Sequence, residues 1–461
     1  MELITECFKV NIRESLREVY SLGLGLFTYF IKLTVMKERR TFIRKLAGAA
    51  VMLPFFESLQ GKSFLNAIEQ YSGITPEDCA SEEEFWYYIQ QAYTVSANVV
   101  NLNNGGVSPQ PRVVQEAVER YNRLSNEAPS YYMWRVLDMG REPLRAKLAD
   151  LAGCSPEELA INRNSSEALE TIIFGLRLNA GDEVVLTKQD YPNMINAWKQ
   201  REHRDGIKLK WLNFDFPIAD KQQIVDTFVN AFSEKTKIVH LTHIINWMGQ
   251  VLPVREIADE AHKRGIEVVV DAAHSFAHLD YKIPDLNCDY FGTSLHKWLC
   301  APFGSGLLYV RKEKIARLYP LFAAGDPESD NIRKFENLGT RSFAIEQAIG
   351  QAVDFHNMIG SERKQKRLQF LKEYWTKKVM DFEGVSIGTS LHPEFSCAIA
   401  LLRVEGKTPG EVSNFLFNNY RVHTVAINWE NIHGVRITPN VYTTTKNLDT
   451  LVAGIAELCK T

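Results

Sequence analysis

Short apolar runs alternate with amphipathic stretches along the central part of the chain. The runs are rich in β-branched and aromatic residues and cover 183–187, 208–212, 238–242, 267–271, 290–294 and 306–310. Strands that are apolar throughout are typical of a mostly parallel sheet buried on both faces. The stretches between them, such as 255–264, place apolar residues at helical spacing. Strands and helices in alternation predict an α/β domain.

The pattern changes after residues 325–327, where Gly-Asp-Pro forms a turn signal. Long helical stretches, alternating strands and a last helix follow. The predicted helices cover 345–357, 363–382 and a stretch that begins near Leu448, and the predicted strands cover 398–404, 422–427 and 435–438. This order predicts a second, smaller α+β unit.

The first 60 residues have a pattern of their own. The uncharged stretch 19–31 has thirteen residues, whereas a membrane-spanning helix needs about 20, so no stable membrane span is predicted. Arg39 and Arg40 precede a weakly apolar run at 46–56, and this arrangement resembles a twin-arginine export signal. The resemblance implies export to the periplasm, with a start at Met36 and an uncleaved signal as further hypotheses. A chance Arg-Arg pair on an amphipathic helix of a cytoplasmic protein is the alternative.

These patterns divide the chain into four predicted parts. An N-terminal extension (1–60) leads into a helical segment (61–111), which ends near the turn cluster Asn103-Asn104-Gly105-Gly106. The α/β domain is predicted at 112–325 and the α+β unit at 326–461.

Composition narrows the classes of function. Of the 461 residues, 45% are hydrophobic and 24% are charged, as in ordinary globular proteins. Lys and Arg total 53 against 56 for Asp and Glu, so the net charge is −3 and nucleic-acid binding has no compositional support. The seven cysteines include no C-x-x-C pair, which leaves no zinc-ribbon spacing, and no metal site is predicted.

Two residues near predicted strand ends can carry chemistry. Lys297 follows the strand 290–294 among aromatic and apolar residues, where an ammonium is costly to bury. Buried lysines are commonly neutral amines, which Schiff-base chemistry requires. Asp271 ends the strand 267–271, where a carboxylate can pair with a protonated ring nitrogen. Any one lysine taken alone is most often a solvated surface residue, which is the alternative for Lys297.

The segments Val270-Asp271-Ala272-Ala273-His274-Ser275 and Ser294-Leu295-His296-Lys297 resemble class V aminotransferases of fold type I. The resemblance extends from near Asn103 to the C terminus. It implies pyridoxal 5'-phosphate as the cofactor and an amino acid as the substrate. It also implies a large domain with a mostly parallel seven-stranded sheet, a smaller α+β C-terminal domain, and a homodimer with shared active sites.

The resemblance assigns roles around the cofactor ring. Lys297 matches the lysine that forms the Schiff base, and Asp271 matches the partner of the pyridine nitrogen. His274 and Asn246 match residues near the phenolic oxygen, and Tyr191 matches the aromatic residue that stacks on the ring. Core histidines satisfied by the backbone and a packed tyrosine are the alternatives.

Further residues match contacts to phosphate and substrate. The implied phosphate contacts are Ser165, Ser166, Ser294, His296 and, across a dimer interface, Thr340. Arg436 matches the arginine that binds the substrate α-carboxylate, a group that suits a bidentate guanidinium. Asn104 could contact the substrate, with a plain turn as the alternative. The serines could instead be helix N-caps, and Arg436 a surface residue.

The residues leave the reaction open. Transamination is expected. The alternatives are epimerisation at Cα, as in the isopenicillin N epimerase-like branch, and elimination of a C–S or C–N bond. A cysteine desulfurase is disfavoured because residues 420–428 contain no cysteine. A non-catalytic protein of the same fold is also considered. A nicotinamide-dependent oxidoreductase fits the α/β pattern but requires a G-x-G-x-x-G segment after the first strand, which is lacking.

Overall fold

The computed structural model of the protein describes residues 66–71 and 73–460. All of these residues belong to one compact unit. The predicted export signal lies outside them. Within the described residues, no helix is long and apolar enough to cross a bilayer.

A seven-stranded sheet occupies the middle of the chain. Its strands are β2 (Leu159–Asn162), β3 (Glu183–Thr187), β4 (Lys208–Leu212), β5 (Thr236–Thr242), β6 (Glu267–Asp271), β7 (Tyr290–Ser294) and β8 (Gly306–Val310), preceded in the chain by β1 (Val100–Asn101). The order in the sheet is β2-β8-β7-β6-β5-β3-β4. Strands β3, β4, β5, β6 and β7 are parallel to one another, while β8 runs antiparallel to both β7 and β2. The predicted α/β fold with a mostly parallel sheet is confirmed, and the six predicted strands are present.

The additional strand, β2, was not predicted because it has only four residues and offers little pattern. Ser155 caps a short 3-10 turn directly before it with a capping box, so the chain enters the sheet at a fixed point. All four residues of β2 are buried. Because β2 pairs with β8 at one edge, the loop after β2 reaches the same end of the sheet as the carboxyl ends of the parallel strands.

Helices cover the sheet and form the lead-in to it. In chain order they are Pro76–Cys79, Glu83–Gln91, Arg112–Glu127, Pro129–Tyr131, Arg141–Ala152, Ser165–Gly175, Pro192–Asp205, Lys221–Ala231 and Val254–His262. On one face of the sheet, strand residues such as Leu186 and Val269 belong to a buried apolar cluster. The cluster also contains Trp198 of helix Pro192–Asp205 and Leu169 of helix Ser165–Gly175. Val268 and Val270, the strand neighbours of Val269, point to the opposite face and are also fully buried, which explains the continuous apolar runs in the sequence.

A second, four-stranded antiparallel sheet follows. Its strands are β9 (Val385–Ile387), β10 (Ala400–Val404), β12 (Val425–Trp429) and β13 (Ile432–Ile437), in the order β12-β13-β10-β9, while β11 (Val422–His423) pairs with β1. The helices of this part are Phe343–Ile359, Ser361–Val379, Pro409–Tyr420 and Thr445–Leu458. The α+β character of this part agrees with the sequence pattern. The exact domain boundaries at 111/112 and 325/326 stay predictions.

Candidate active site

A cavity of about 480 Å³ opens at the carboxyl ends of β5, β6 and β7. This end is where ligands of open parallel sheets bind. Its walls also include one strand of the small sheet, β12, and Arg436 of β13. The lining residues are Gly105, Gly106, Asn164, Ser165, Ser166, Tyr191, Thr242, Asn246, Trp247, Asp271, Ala273, His274, Ser294, His296, Lys297, Val425, Ala426, Ile427 and Arg436. The cavity therefore brings together most of the predicted site residues.

Lys297 carries the reactive amine of this cavity. Its Nζ lies 3.1 Å from Nε2 of His274, which is itself almost fully buried. Burial lowers the pKa of Lys297 to about 8, although the carboxylate of Asp271 acts in the opposite direction. At pH 7 about a tenth of Lys297 is then neutral and nucleophilic, far more than for an exposed lysine.

Asp271 ends β6 and is only 5% exposed. Its Oδ1 accepts a hydrogen bond of 2.8 Å from the backbone N–H of Ala273. Burial, together with the nearby charge of Asp190, raises the pKa of Asp271 to about 6. A cationic partner would stabilise the ionised form of this buried carboxylate, because the partner's charge offsets the cost of burial.

A second buried group lies behind Asp271 and was missed in the sequence. Nε2 of His240, on β5, is 3.1 Å from Oδ2 of Asp190, and both side chains are fully buried. The indole N–H of Trp198 donates to Nδ1 of His240 over 3.2 Å. Burial alone would lower the pKa of His240, but the contact with Asp190 and the charge of Asp271 together raise it. No motif marks these residues in the sequence, since the three come from separate elements.

An anion cradle forms where helix Ser165–Gly175 begins. Ser294 accepts from the backbone N–H of Ser165 and donates to its hydroxyl, both over 2.9 Å. Asn164 caps the helix by accepting from the N–H of Glu167. Helix N-termini with free N–H groups favour anions such as phosphate. The N-cap is therefore Asn164, and the alternative that Ser165 or Ser166 caps the helix is wrong. Both serines lie in the first turn and line the cavity.

Two glycines let this helix approach the strands closely. A Cβ at Gly306 would lie 2.6 Å from backbone atoms of Asn164, and one at Gly292 would lie 2.7 Å from the side chain of Leu169. Larger residues at either position would push the helix away. His296 completes this side of the cavity, with its Nδ1 3.1 Å from the carbonyl oxygen of Ser305 and its pKa lowered by burial.

Arg436 supplies a guanidinium that is only 7% exposed. It donates to the carbonyl oxygen of Asn246 over 2.9 Å and to Oδ1 of Asn103 over 3.1 Å, while its Nε has no partner. Within the described chain, no carboxylate forms an ion pair with Arg436. Burial lowers its pKa to about 10. A buried guanidinium without a carboxylate is a site for an anionic ligand.

The remaining walls combine open polar atoms with apolar surface. Oγ1 of Thr242 and Oδ1 of Asn246 are buried without a hydrogen-bond partner. Tyr191 follows β3 and is 39% exposed, so its ring is open for stacking. Trp247 was missed in the sequence; it stacks on Trp429 with ring centroids 5.2 Å apart. The stack makes this wall rigid and apolar.

Two predicted residues are not brought to the cavity. Asn104 is fully buried, and its amide binds the carbonyl oxygens of Asn101 and Thr438 and the hydroxyl of Tyr442. These contacts use the side chain structurally, so the expected contact with substrate is not seen, and the neighbouring Gly105 lines the cavity instead. Thr340 is exposed and lies outside the cavity of its own chain.

These residues fit pyridoxal phosphate. The cradle at Ser165 suits its phosphate, Lys297 suits its aldehyde and Asp271 suits its ring nitrogen. The unpartnered Oδ1 of Asn246 and Oγ1 of Thr242 offer further contacts to a polar ligand. The cavity volume of about 480 Å³ leaves room for a ligand and a small substrate together.

Comparisons with known proteins agree with this geometry. The sequence profile described as "Aminotransferase class-V" matches residues 100–449. Isopenicillin N epimerase of Streptomyces clavuligerus is 27% identical over 390 residues, covering 81% of this chain and 98% of the relative. A probable cysteine desulfurase of Synechocystis is 32% identical over 284 residues. The match covers 57% of this chain and 66% of the relative. The solved apo structure of a cysteine desulfurase from Thermococcus onnurineus NA1 has the same fold, with a TM-score of 0.71, 21% identity and coverage of 81% and 97%.

Proposed function

Because the chain belongs to the class-V aminotransferase family, we propose that it is a pyridoxal-phosphate-dependent enzyme acting at Cα of an amino acid. The observation that carries the proposal is the convergence of Lys297, Asp271 and Arg436 on one cavity. When bound, pyridoxal phosphate supplies an electron sink that makes a bond at Cα easier to break.

The chain's own residues divide the remaining work. Lys297 would hold the cofactor through its neutral amine, and the same amine is placed to take up or return a proton at Cα. Asp271 pairs with the ring nitrogen, where its burial makes the charge pair strong. Arg436 binds the α-carboxylate and fixes which substituent of Cα faces Lys297. Its two backbone and side-chain acceptors, Asn246 and Asn103, hold the guanidinium in place.

We propose transamination as the reaction and epimerisation as the second candidate. The family supports the first, and the similarity that spans 98% of isopenicillin N epimerase supports the second. Desulfuration through an enzyme thiol has less support, because no described cysteine lines the cavity. Cys397 is fully buried, with its pKa raised by burial to about 12.

A panel of amino acids with keto-acid acceptors tests the choice of reaction. Formation of a new amino acid and keto acid supports transamination. Exchange of the Cα hydrogen for solvent deuterium without net amino transfer supports epimerisation. Release of ammonia or sulfide points to elimination, and binding of cofactor without any turnover points to a non-catalytic protein.

We further propose that the substrate carries an uncharged side chain. The wall beside Arg436 consists of Trp247 and the β12 residues Val425, Ala426 and Ile427. None of these residues carries a charge, so a charged substrate side chain against them would lose hydration without gaining an ion pair. In the panel, amino acids with apolar side chains should have higher kcat/KM than aspartate or lysine; the opposite order would remove this assignment.

We also propose a homodimer. The segment that includes Pro129–Tyr131 exposes large apolar side chains, among them Trp134 at 54% and Met139 at 74%, and Phe303 is exposed at 52%. The exposed position of Thr340 is compatible with a contact to the cavity of a second copy. Sedimentation of the purified protein should give twice the chain mass of 52.6 kDa, and Met139→Glu should shift it toward the monomer.

Export by the twin-arginine route is proposed from Arg39 and Arg40. A fusion of residues 36–60 to a reporter should reach the periplasm. Changing both arginines to lysine should retain the reporter in the cytoplasm, whereas unchanged location would remove the proposal.

A further inference from the structure

Lys297 is next to Trp298 in the chain, and both contact His274 from different sides. The indole N–H of Trp298 points to Nδ1 of His274 over 3.4 Å, and Nζ of Lys297 lies 3.1 Å from Nε2 of the same ring. Trp298 is fully buried. His274 therefore links an indole N–H, which can only donate, to the reactive amine.

The indole decides which ring nitrogen carries the proton. Because an indole N–H can only donate, Nδ1 of His274 must present its lone pair. Burial lowers the pKa of His274 well below its usual range, and the charge of Lys297 lowers it further, so the ring is neutral. A neutral imidazole with a free Nδ1 carries its single proton on Nε2, which is the atom that faces Lys297.

The arrangement around the indole is itself fixed. Trp298 stacks on the ring of His278 with centroids 3.7 Å apart and an interplanar angle of 25°. Nδ1 of His278 donates to the carbonyl oxygen of His274 over 2.8 Å, and its Nε2 accepts from the backbone N–H of Ala398 over 3.0 Å. Lys364 donates to the carbonyl oxygen of Trp298. The indole therefore lies between the stacked ring of His278 and Nδ1 of His274, and the backbone on either side of it is anchored.

We propose that Trp298 is a positioning residue that fixes the Nε2–H tautomer of His274 and so deprives a Lys297 ammonium of an acceptor at that nitrogen. An ammonium has three donors and no acceptor, whereas a neutral amine can accept from the Nε2–H. The contact thus favours the neutral form of Lys297. This inference rests on the proposed function, in which Lys297 is the nucleophile.

Other charges around Lys297 do not replace this contact. Beyond one another, the titratable and charged groups that act on Lys297, His274 or the neighbouring His278 are Asp271, Arg436, His243 and Lys364. His296 lies close enough for the charge of Lys297 to lower its pKa. Asp271 favours the ammonium, while Arg436 favours the amine. Loss of the indole N–H would let His274 take the other tautomer, in which Nε2 accepts from the ammonium. The pKa of Lys297 would then rise.

The test measures the protonation of Lys297 in the full-length chain after dialysis against hydroxylamine, which removes bound cofactor. Labelling by acetic anhydride, followed peptide by peptide with mass spectrometry, gives the pH midpoint of Lys297. Trp298→Phe keeps the stack on His278 but loses the N–H. In this variant the labelling midpoint of Lys297 should rise by about one pH unit. At a pH below the midpoint, the neutral fraction of Lys297 is then about tenfold smaller than in the wild type. An unchanged midpoint would overturn the proposal.

Trp86→Phe is the matched control. Trp86 is also fully buried, and its indole N–H donates to the carbonyl oxygen of Cys79 over 2.8 Å, outside the cavity. Its removal should leave the midpoint of Lys297 unchanged. An equal rise in both variants would show a general effect of lost packing and would overturn the assignment to Trp298.

A second measurement needs no folded Trp298 variant. Nitrogen-15 shifts of the 11 histidines, with His274 assigned by its loss in His274→Asn, report the tautomer directly. Protonated Nε2 and unprotonated Nδ1 support the proposal, and the reverse would overturn it. Both measurements use cofactor-free protein, so failure to bind pyridoxal phosphate would contradict the proposed function and leave this result standing.

Discussion

The buried carboxylate of Asp271 should destabilise the cofactor-free protein at neutral pH. A neutral side chain at this position should therefore make the protein more stable. The pKa of Asp271 is raised from 3.8 to about 6, mainly by burial, so the folded state holds its proton more tightly than the unfolded state does. The penalty is absent well below pH 4, grows between about pH 4 and pH 6, and is nearly constant above pH 6. A difference of about two pH units corresponds to about 3 kcal/mol.

Asp271→Asn keeps the size of the side chain and its acceptor for the N–H of Ala273 while removing the charge. We expect the free energy of unfolding in urea to rise by about 3 kcal/mol at pH 8 and by about half of that at pH 5. The comparison uses cofactor-free protein, because a bound cofactor would pair with the charge. A variant that is no more stable than the wild type at pH 8, or a gain that does not shrink at pH 5, would refute the reasoning.

Asp289→Asn is the matched control, and its effect on the free energy of unfolding should have the opposite sign. Asp289 is only 2% exposed, yet its carboxylate lies 2.9 Å from Nε2 of His262 and accepts from the N–H of Val268 over 2.8 Å. Despite burial, these contacts lower its pKa. Stability from this group is present above its unfolded pKa and is lost at lower pH, so the variant should be less stable than the wild type at pH 8.

Further predictions concern the substrate and the cofactor cradle. Arg436→Lys should lower kcat/KM by about 10- to 150-fold through KM, since a charge-assisted hydrogen bond contributes about 1.5–3 kcal/mol; steady-state kinetics with unchanged KM would contradict it. Gly306→Ala forces the backbone of Asn164 to move, at a cost of about 1–3 kcal/mol, so the Kd for pyridoxal phosphate in a fluorescence titration should rise about 5- to 150-fold. Gly410→Ala, which meets open space, should leave that Kd unchanged, and equal effects in both variants would contradict the role of the cradle.

Residues at strand ends could be identified from the sequence because their surroundings are local. Lys297 and Asp271 each follow an apolar run, and the carboxyl ends of parallel strands meet at one edge of the sheet. The same logic does not extend to Asn104, since its turn neighbours do not show that Tyr442 and Thr438 contact its amide. The local sequence pattern thus locates a site, but it does not show which polar side chains remain available to a ligand.

Contacts between distant segments could not be predicted from the sequence alone. The carbonyl oxygen of Asn246 is 190 residues from Arg436, which it holds, and no periodicity connects them. Asp190, His240 and Trp198 likewise come from three elements that only the sheet order brings together. The tautomer of His274 depends on Trp298, a residue that the sequence presents as one more buried aromatic.

The covalent attachment of pyridoxal phosphate to Lys297 is the central claim, and borohydride reduction tests it most directly. Lys334 is the matched control, because burial lowers its pKa to about 8 as well, but its Nζ donates to the carbonyl oxygens of Ile315 and Pro327. The purified protein should show a visible absorbance band that Lys297→Ala abolishes and Lys334→Met retains, and reduction should leave the pyridoxyl group on the peptide containing Lys297. A protein that takes up no pyridoxal phosphate, or a reduced adduct on another lysine, would contradict the account.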